Sequence, residues 1–317
     1  MAKYIKMLCN VHCFRPILEY EVTLEWSVYF MLETKIHYNV DKLEITYDYS
    51  ELDLDVLKQC QVGDSVDIET VQLLRLQPTG YEFNYEVTMD RNRLGTLFFG
   101  TKNPNRQNYY LMVENRVLYG QLELISKFEE EMGLHFRQIS KLDISLDTNR
   151  NVIRRFYLLL KDRGQKLVIK NKIIKDRTAI IDSILHMSSG SLDNISKERS
   201  FLIKLEGGLE LKGYDKGSEI NHSNKQYIRK HLDYNERIYR MEVSFSNHRQ
   251  LRDQLKMCDR RITELMLYEN LADEKILAII FYWSLQRLIR IKDGEILTYL
   301  LSPTPRKKRK SFRPNNN

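Results

Sequence analysis

Two aspartates on one short segment are the first residues whose types and spacing could do chemistry. In the segment 141–147, Lys-Leu-Asp-Ile-Ser-Leu-Asp, apolar and polar residues alternate. Such alternation is typical of a β-strand with one buried face, so Asp143 and Asp147 would share the opposite face. The two residues would lie roughly 13–14 Å apart along the strand, too far to share one ion unless the strand bends or other strands add ligands. A half-buried strand with a solvated acidic face is the simpler interpretation.

Two later segments, 211–219 and 238–245, carry similar polar faces. Each alternates in the manner of a strand, and sequential strands are often neighbours in a sheet. Glu219 would come just past the end of the first of these strands. The polar side chains that could then converge beside the two aspartates are Tyr214, Lys216, Glu219, Arg240 and Glu242.

A set of this kind would suit the cleavage of a phosphodiester. Carboxylate oxygens bind Mg²⁺ or Mn²⁺, and the candidate metal ligands are Asp143, Asp147, Glu219 and Glu242. A tyrosine hydroxyl can act as a nucleophile and hold a covalent intermediate, which makes Tyr214 a catalytic candidate. Lys216 or Arg240 could stabilise the charge that develops on the phosphate. Each of these residues also has a non-catalytic interpretation. The chain has nineteen tyrosines, so a tyrosine at any one position carries little information. Arg240 could simply pair with Glu242 across a solvated face.

The elements around these segments favour an α+β fold. Strand-like segments dominate residues 1–120, 20–26 among them, and helices are predicted at 122–131, 152–160 and 178–187, followed by a helical block over 251–291. We expect a large curved, mainly antiparallel sheet with helices on one face. The predicted divisions are an N-terminal β-rich half (1–120), a catalytic half (121–250), a helical C-terminal subdomain (251–302) and a disordered basic tail (303–317).

A short sequence pattern occurs once in each of the first two divisions. Residues 42–48 and 141–147 share the pattern Lys-Leu-acid-Ile-x-x-Asp. A duplicated unit, in which residues 1–120 form a degenerate repeat with a DNA-binding role, would explain the spacing. Chance similarity between two amphipathic strands would explain it equally well.

Positive charge is concentrated at the C-terminus. The chain has 50 basic and 43 acidic residues, a formal net charge of +7, and removing the six basic residues after position 305 leaves 44 against 43. A basic arm of this kind would neutralise DNA phosphates without reading sequence, although a solubilising terminus is the other interpretation. The residues of this candidate nucleic-acid-binding arm are Arg306, Lys307, Lys308, Arg309, Lys310 and Arg313.

Several classes of protein are disfavoured by composition. No apolar run approaches the roughly 20 residues of a membrane span, and the first residues lack a signal-peptide pattern, so a cytoplasmic location without membrane contact is expected. Four cysteines do not form a disulfide framework. Cys9, His12 and Cys13 lack a second ligand pair for structural zinc, and no phosphate-binding Gly-x-x-x-x-Gly-Lys loop occurs.

The order of the three segments resembles that of rolling-circle replication initiators of the plasmid Rep-trans type and related phage proteins. The matching motifs are the two-aspartate strand, Tyr-Asp-Lys-x-x-Glu at 214–219 and Arg-x-Glu-Val at 240–243, so the resemblance covers roughly residues 136–250. It implies a metal-dependent nickase and strand transferase that attaches through a tyrosine to a 5′ phosphate. It also implies plasmid or phage origin DNA (single strand and hairpin), a host helicase and a homodimer as partners.

The chain departs from the family pattern at two places. Lys141 stands where the family has arginine, and the Tyr-x-Gly-Ser pattern that often precedes the second motif is missing. These departures leave the identity of the nucleophile open. Tyr214 is the first choice, and four other tyrosines are alternatives. These are Tyr109, Tyr110, Tyr119 and Tyr239.

Two other functions stay open beside the nickase. One is a non-catalytic, sequence-specific DNA-binding protein on the same scaffold, in which the acidic strand is structural. The other is an intracellular scaffold or phage structural protein that binds no nucleic acid. Metal-dependent strand cleavage separates the nickase from both.

Overall fold

The computed structural model describes eight stretches of the chain, residues 34–50, 55–100, 108–174, 200–204, 208–232, 237–258, 268–292 and 294–302. Several sequence-based predictions lie outside these described residues: the strand 20–26, the Cys9, His12 and Cys13 group, the helix 178–187 and the basic tail 303–317.

The chain alternates between runs of strands and short helices. The strands are β1 (Ile36–Ser50), β2 (Ser65–Ile68), β3 (Val71–Leu76), β4 (Phe83–Met89), β5 (Asn92–Phe99), β6 (Tyr109–Val113), β7 (Leu134–Thr148), β8 (Leu167–Ile169), β9 (Lys172–Ile173), β10 (Phe201–Lys204), β11 (Leu209–Asp215), β12 (Tyr239–Phe245) and β13 (Ile289–Ile291). The helices are α1 (Asp55–Gln59), α2 (Asn115–Leu118), α3 (Glu123–Glu131), α4 (Val152–Lys161), α5 (Lys216–Ser223), α6 (Gln226–Leu232), α7 (His248–Cys258), α8 (Glu274–Leu288) and α9 (Ile296–Leu301), with a 3-10 helix at Tyr268–Ala272.

A ten-stranded antiparallel sheet organises the molecule. Its strand order is β10-β11-β12-β7-β1-β6-β5-β4-β3-β2, and β13-β8-β9 form a second, three-stranded sheet. The predicted α+β class with a large, mainly antiparallel sheet is confirmed.

The two central strands, β1 and β7, are 15 residues each and pair with one another. Alternation places Leu142, Ile144 and Leu146 on one face of β7, where all three are fully buried. Burial of each such side chain contributes roughly 1.5–3 kcal/mol. Helix α8 packs on this face, where the rings of Tyr38 and Phe281 meet edge-on at 5.6 Å. The opposite face of the central strands is polar.

The sheet is symmetric about its central pair. The order β1-β6-β5-β4 on one side matches β7-β12-β11-β10 on the other. The register matches too, since Leu43 lies opposite Leu142, Lys42 opposite Asp143 and Glu44 opposite Lys141. Each residue of the β1 segment therefore corresponds to one 99 positions later in β7, as Leu43 does to Leu142.

The symmetry extends to irregularities in the strands. β1 has a register shift between Val40 and Lys42, and β7 has one between Ile139 and Lys141. The extra residues are Asp41 and Ser140, which are also 99 positions apart. A β-bulge bends its strand and re-aims one side chain, so these two of the four register shifts in the β1–β7 pair re-aim residues at equivalent places in the two halves.

Helix α4 packs against the outer strands of the second half. Its Phe156 stacks on Phe201 with ring centroids 4.0 Å apart. A Cβ on Gly213 would lie 2.1 Å from the Phe201 ring, so the position on β11 opposite Phe201 has room only for glycine. This contact fixes β11, the strand that carries Tyr214.

Four elements differ from the sequence-based expectation. The segment 211–219, expected to be a strand, is a strand only to Asp215 and continues as α5. The strand expected over 66–76 is a hairpin, because Glu69 takes a positive φ of 50° in a tight turn that holds neither glycine nor asparagine. The strand expected over 109–119 ends at Val113 and continues as α2. The helical block 251–291 ends in β13, whose two isoleucines are buried against β8. Among the described residues, no helix is long and apolar enough to cross a membrane.

Candidate active site

The polar faces of β7 and β12 bring the predicted residues together. In the register of this pair, Asp147 lies opposite Arg240 and Asp143 lies opposite Ser244. The next strand, β11, adds Tyr214 opposite Arg240. Side chains directly opposite one another in an antiparallel pair are within contact distance. The convergence predicted from alternation is therefore found on these three strands.

Arg240 lies at the centre of the group and is fully buried. Its guanidinium donates to both carboxylate oxygens of Asp147, from Nε at 2.7 Å and from Nη2 at 2.6 Å. Nη1 donates to Asp41, and Nη2 also donates to the hydroxyl of Tyr119 at 2.6 Å. Desolvation of a charge costs several kcal/mol, and here it is offset by bidentate pairing. Burial alone would lower the pKa of Arg240, but Asp147 and Asp41 outweigh it and raise that pKa well above its ordinary value.

Asp41 is a site residue that the sequence analysis missed. It is the bulged residue of β1, and it accepts hydrogen bonds from Arg240, Tyr119 and Asn115. Burial alone would raise the pKa of Asp41, but Arg240 and then Lys216 hold it well below its usual range. Alternation alone cannot predict this residue, because the bulge is what turns its side chain toward β12.

Tyr119, one of the alternative nucleophiles, is held within the same network. Its hydroxyl accepts from Arg240 and donates to Asp41 at 2.9 Å. Burial raises the pKa of Tyr119 well above its ordinary value. Its side chain is 7% exposed. Because its hydroxyl is bonded to both Arg240 and Asp41, Tyr119 holds these two charged side chains in place.

Tyr214 and Glu242 form the second part of the site. The Tyr214 hydroxyl donates to Glu242 Oε2 at 3.0 Å, and Lys212 Nζ donates to Glu242 Oε1 at 2.9 Å. Glu242 is 4% exposed, whereas Tyr214 is half-buried. Burial raises the pKa of Tyr214 well above its ordinary value, with Arg240 opposing and Glu242 adding to the shift. The phenol is therefore neutral at physiological pH and has a carboxylate positioned to accept its proton.

Lys216 and Glu219 lie at the start of α5. The side chain of Asp215 caps this helix by accepting from the backbone N–H of Ser218 at 2.9 Å. Lys216 is 1% exposed, and its Nζ lies 2.7 Å from Glu219 Oε2 and 3.6 Å from Asp41 Oδ1. The same Nζ lies 5.7 Å from the centroid of the Tyr214 ring. The cap therefore places the lysine beside the tyrosine.

Asp143 lies at the open end of the group. Burial raises the pKa of Asp143 to about 7, and the charge of Glu242 adds to the shift. Lys212 and a hydrogen bond to Ser244 oppose it. A cation bound beside Asp143 would favour its charged form.

The four predicted metal ligands do not form one cluster. Within the part of the chain that the structure describes, no three His, Cys, Asp or Glu side chains are grouped so that they could hold a metal ion. Asp147 is paired with Arg240 and Glu219 with Lys216. Glu242 is bonded to Lys212 and Tyr214, and Asp143 lies close enough for the charge of Glu242 to raise its pKa.

The other tyrosines considered as nucleophiles lie elsewhere. Tyr109 is in contact with the ring of Phe99, and Tyr239 is 6% exposed and lies one residue out of phase with the polar face of β12. Tyr110 is on the polar face of the other half of the sheet, opposite Thr46. Of the five tyrosines, Tyr214 is the one bonded to Glu242.

Comparison with known proteins adds little to this geometry. No protein-family model matches the chain, and no curated protein matches it. Among solved structures, the chain is similar to the rolling circle replication initiator protein from Geobacillus stearothermophilus, with a TM-score of 0.44 and 12% identity over 82% of this chain and 88% of that chain. A likeness at this level carries no argument about function, so function must be argued from the site.

Proposed function

We propose that this protein is a plasmid or phage DNA replication initiator that nicks and rejoins origin DNA through Tyr214. The observation that carries the proposal is the hydrogen bond from the Tyr214 hydroxyl to Glu242. A neutral phenol is a weak nucleophile. A buried carboxylate at 3.0 Å supplies the base that the phenol needs.

In the proposed reaction, the Tyr214 oxygen attacks the phosphorus of a phosphodiester. A bond forms between Tyr214 and the 5′ phosphate, the bond from phosphorus to the 3′ oxygen breaks, and the Tyr214 proton moves to Glu242. The leaving 3′ oxygen takes up a proton. Rejoining is the reverse, in which the 3′ hydroxyl attacks the phosphotyrosine and the Tyr214 oxygen leaves.

The cations have two separate roles in this proposal. Arg240 and Lys216 were expected to contact the phosphate, but both are buried and bonded to carboxylates. We assign Arg240 and Lys216 to two roles. They position Tyr214, and they compensate the charges of the buried carboxylates around it. Lys212 is 37% exposed and bonded to Glu242, so it is a cation within reach of a substrate phosphate.

A divalent cation, Mg²⁺ or Mn²⁺, belongs to the same proposal. Asp143 would hold it together with phosphate oxygens of the DNA, because oxygen ligands are those that these ions prefer, and Glu242 keeps its role as the base. When bound, such an ion polarises a phosphoryl oxygen and stabilises charge in the transition state. Asp147 and Glu219 then serve as partners of Arg240 and Lys216.

The partners of the reaction are proposals as well. They are origin DNA in single-stranded and hairpin form, a host helicase and a second copy of the chain. The basic tail 303–317 would add contacts to phosphates that do not depend on sequence.

The proposal is tested with supercoiled plasmid that carries the protein's own coding region and flanks, in the presence of Mg²⁺ or Mn²⁺. We expect nicked circles with protein attached to the 5′ end, and we expect Tyr214→Phe to abolish both. Tyr282→Phe is the matched control, since Tyr282 lies on α8 and its hydroxyl is bonded to Glu295, the residue before α9. Nicking that persists in Tyr214→Phe would contradict the assignment of the nucleophile.

A second candidate function is a DNA-binding protein without catalysis. The observation in its favour is that Asp147 and Glu219 are engaged by Arg240 and Lys216, so much of the acidic face is structural. This candidate predicts tight binding to origin DNA without any nicked product in the same assay.

A further inference from the structure

The polar face of the sheet continues from the candidate active site into the other half of the molecule and contains a cleft there. The cleft has a volume of about 410 Å³. Its lining includes six residues of the central strands and β6, which are Glu44, Thr46, Tyr110, Arg137, Ser140 and Lys141. Because Thr46 pairs with Tyr110 and Glu44 with Lys141, the cleft spans β6, β1 and β7.

The symmetry of the sheet makes this cleft the counterpart of the candidate active site. Glu242 lies opposite Ser145, and the residue 99 positions before Ser145 is Thr46, which lies opposite Tyr110. Tyr110 thus occupies the place of Glu242. In the same way, Phe98 pairs with Tyr110 as Lys212 pairs with Glu242. The base and the accessible cation of one half are replaced by aromatic rings in the other.

The aromatic rings at this place form a continuous group. The ring of Tyr81 lies 5.3 Å from that of Phe98 and 5.3 Å from that of Tyr110, measured between centroids. All three side chains are half-buried, so part of each ring surface is accessible. Half-exposed aromatic side chains on an open sheet face are the usual platform on which unpaired bases stack.

Cations flank the rings on the β7 side. Arg137 and Lys141 are 47% and 42% exposed, and they pair with Asp48 at 2.9 Å and with Glu44 at 2.6 Å. The Arg137–Asp48 pair is exposed on both sides and contributes little to stability, so Arg137 can exchange its carboxylate for a phosphate at low cost. Lys141 pairs with the buried Glu44 and would contact a phosphate while keeping that carboxylate. Bases on the rings and phosphates at these two cations would match the chemistry of a single strand.

We propose that this cleft and the rings beside it form a non-catalytic platform for bases of single-stranded DNA. Tyr110, Arg137 and Lys141 line the cleft, and Tyr81 and Phe98 extend the aromatic surface from Tyr110. The inference rests on the proposed function, because the strand that it holds would flank the phosphodiester attacked by Tyr214. The shared polar face of β7 leads from one place to the other. In this proposal, one half of the sheet cleaves the DNA strand and the other half binds it.

The test is equilibrium binding of a fluorescein-labelled oligothymidine to the full chain in EDTA, where no cleavage occurs. Tyr110→Leu should weaken binding by about 5- to 100-fold, and Tyr110→Trp, which keeps a stacking surface, should restore it. Tyr282→Leu on α8 is the matched control and should bind as wild type does. An equal loss in Tyr110→Leu and Tyr110→Trp, or no loss in either, would overturn the proposal.

A second probe does not depend on the stability of any variant. An abasic oligonucleotide of the same length keeps the phosphates and lacks the bases, so wild type should bind it more weakly than oligothymidine. The difference in affinity between the two probes should then be smaller for Tyr110→Leu than for wild type. Equal binding of both probes by wild type would overturn the platform. Neither result depends on nicking, so failure of the platform and failure of the Tyr214 mechanism are separable.

Discussion

Arg240 and Asp147 illustrate how burial changes the role of a charged residue. From alternation alone, Asp147 is a candidate metal ligand and Arg240 a candidate phosphate-binding cation. In the structure both side chains are fully buried and bonded to one another through two hydrogen bonds. Their charges satisfy each other, so neither side chain is available to a metal ion or a phosphate.

Replacement of Arg240 by methionine should therefore destabilise the fold strongly. The substitution leaves the carboxylate of Asp147 buried without the guanidinium that pairs with it and leaves Asp41 with Lys216 alone, which costs about 3–5 kcal/mol. Arg93→Met is the control, since Arg93 pairs with Glu86 at 53% exposure and such a pair contributes about 0–1 kcal/mol. Urea unfolding followed by circular dichroism measures both, and equal costs would contradict the buried network.

Asp143 should give the protein a distinctive pH dependence. Its folded pKa of about 7 is above the value of about 4 in an unfolded chain, so between these values the folded state holds a proton that the unfolded state releases. This group therefore makes the free energy of unfolding fall as pH rises from about 4 to about 7. Asp143→Asn should flatten that slope in EDTA, whereas Asp67→Asn on the exposed β2–β3 hairpin should not. An unchanged slope in Asp143→Asn would refute the raised pKa.

At the scale of elements, alternation predicted the strands well and the bulges not at all. β7, β11 and β12 follow the expected alternation, which is why Asp143, Tyr214 and Glu242 were placed on one face from the sequence. Asp41 was missed because one extra residue in β1 reverses the phase of the alternation. Tyr119 was considered only as a nucleophile, since its role depends on a turn between α2 and α3 that brings it to Arg240.

The contact between β10 and α4 offers a test at this scale. Gly213→Ala places a methyl group against the Phe201 ring, and overpacking of this kind costs about 1–3 kcal/mol. Phe201→Leu should relieve part of that cost in the double variant. Gly294→Ala is the control, because its Cβ would have an ordinary contact of 3.4 Å to Ile291. Thermal unfolding measures the series, and a neutral Gly213→Ala would contradict the packing.

At the scale of the molecule, the sequence predicted the fold class and an internal repeat but not the strand order. The pattern shared by residues 42–48 and 141–147 lies on the two strands that pair at the centre of the sheet. Their neighbours β6 and β12 share no comparable motif, so their equivalent positions follow from long-range pairing that local patterns do not encode. The division of the chain at residues 120, 250 and 302 stays a prediction.

The basic tail should control the salt dependence of DNA binding. Replacing its six basic residues by glutamine should lower the magnitude of the slope of log Kobs against log salt by up to about 5, since each phosphate contact contributes about 0.9. Replacing Asn315, Asn316 and Asn317 by serine is the control and should leave the slope unchanged. Titrations of a labelled duplex at several salt concentrations measure it, and an unaltered slope in the glutamine variant would mean that the tail does not touch DNA.

The most direct test of the central claim is to identify the residue that carries DNA after the reaction. The full chain is incubated with supercoiled plasmid carrying its own coding region and Mn²⁺, the DNA is digested with nuclease, and tryptic peptides are sequenced by mass spectrometry. We predict a nucleotide on the peptide that contains Tyr214, attached through its 5′ phosphate. A nucleotide on any other tyrosine, or nicked plasmid without a protein adduct, would contradict the account.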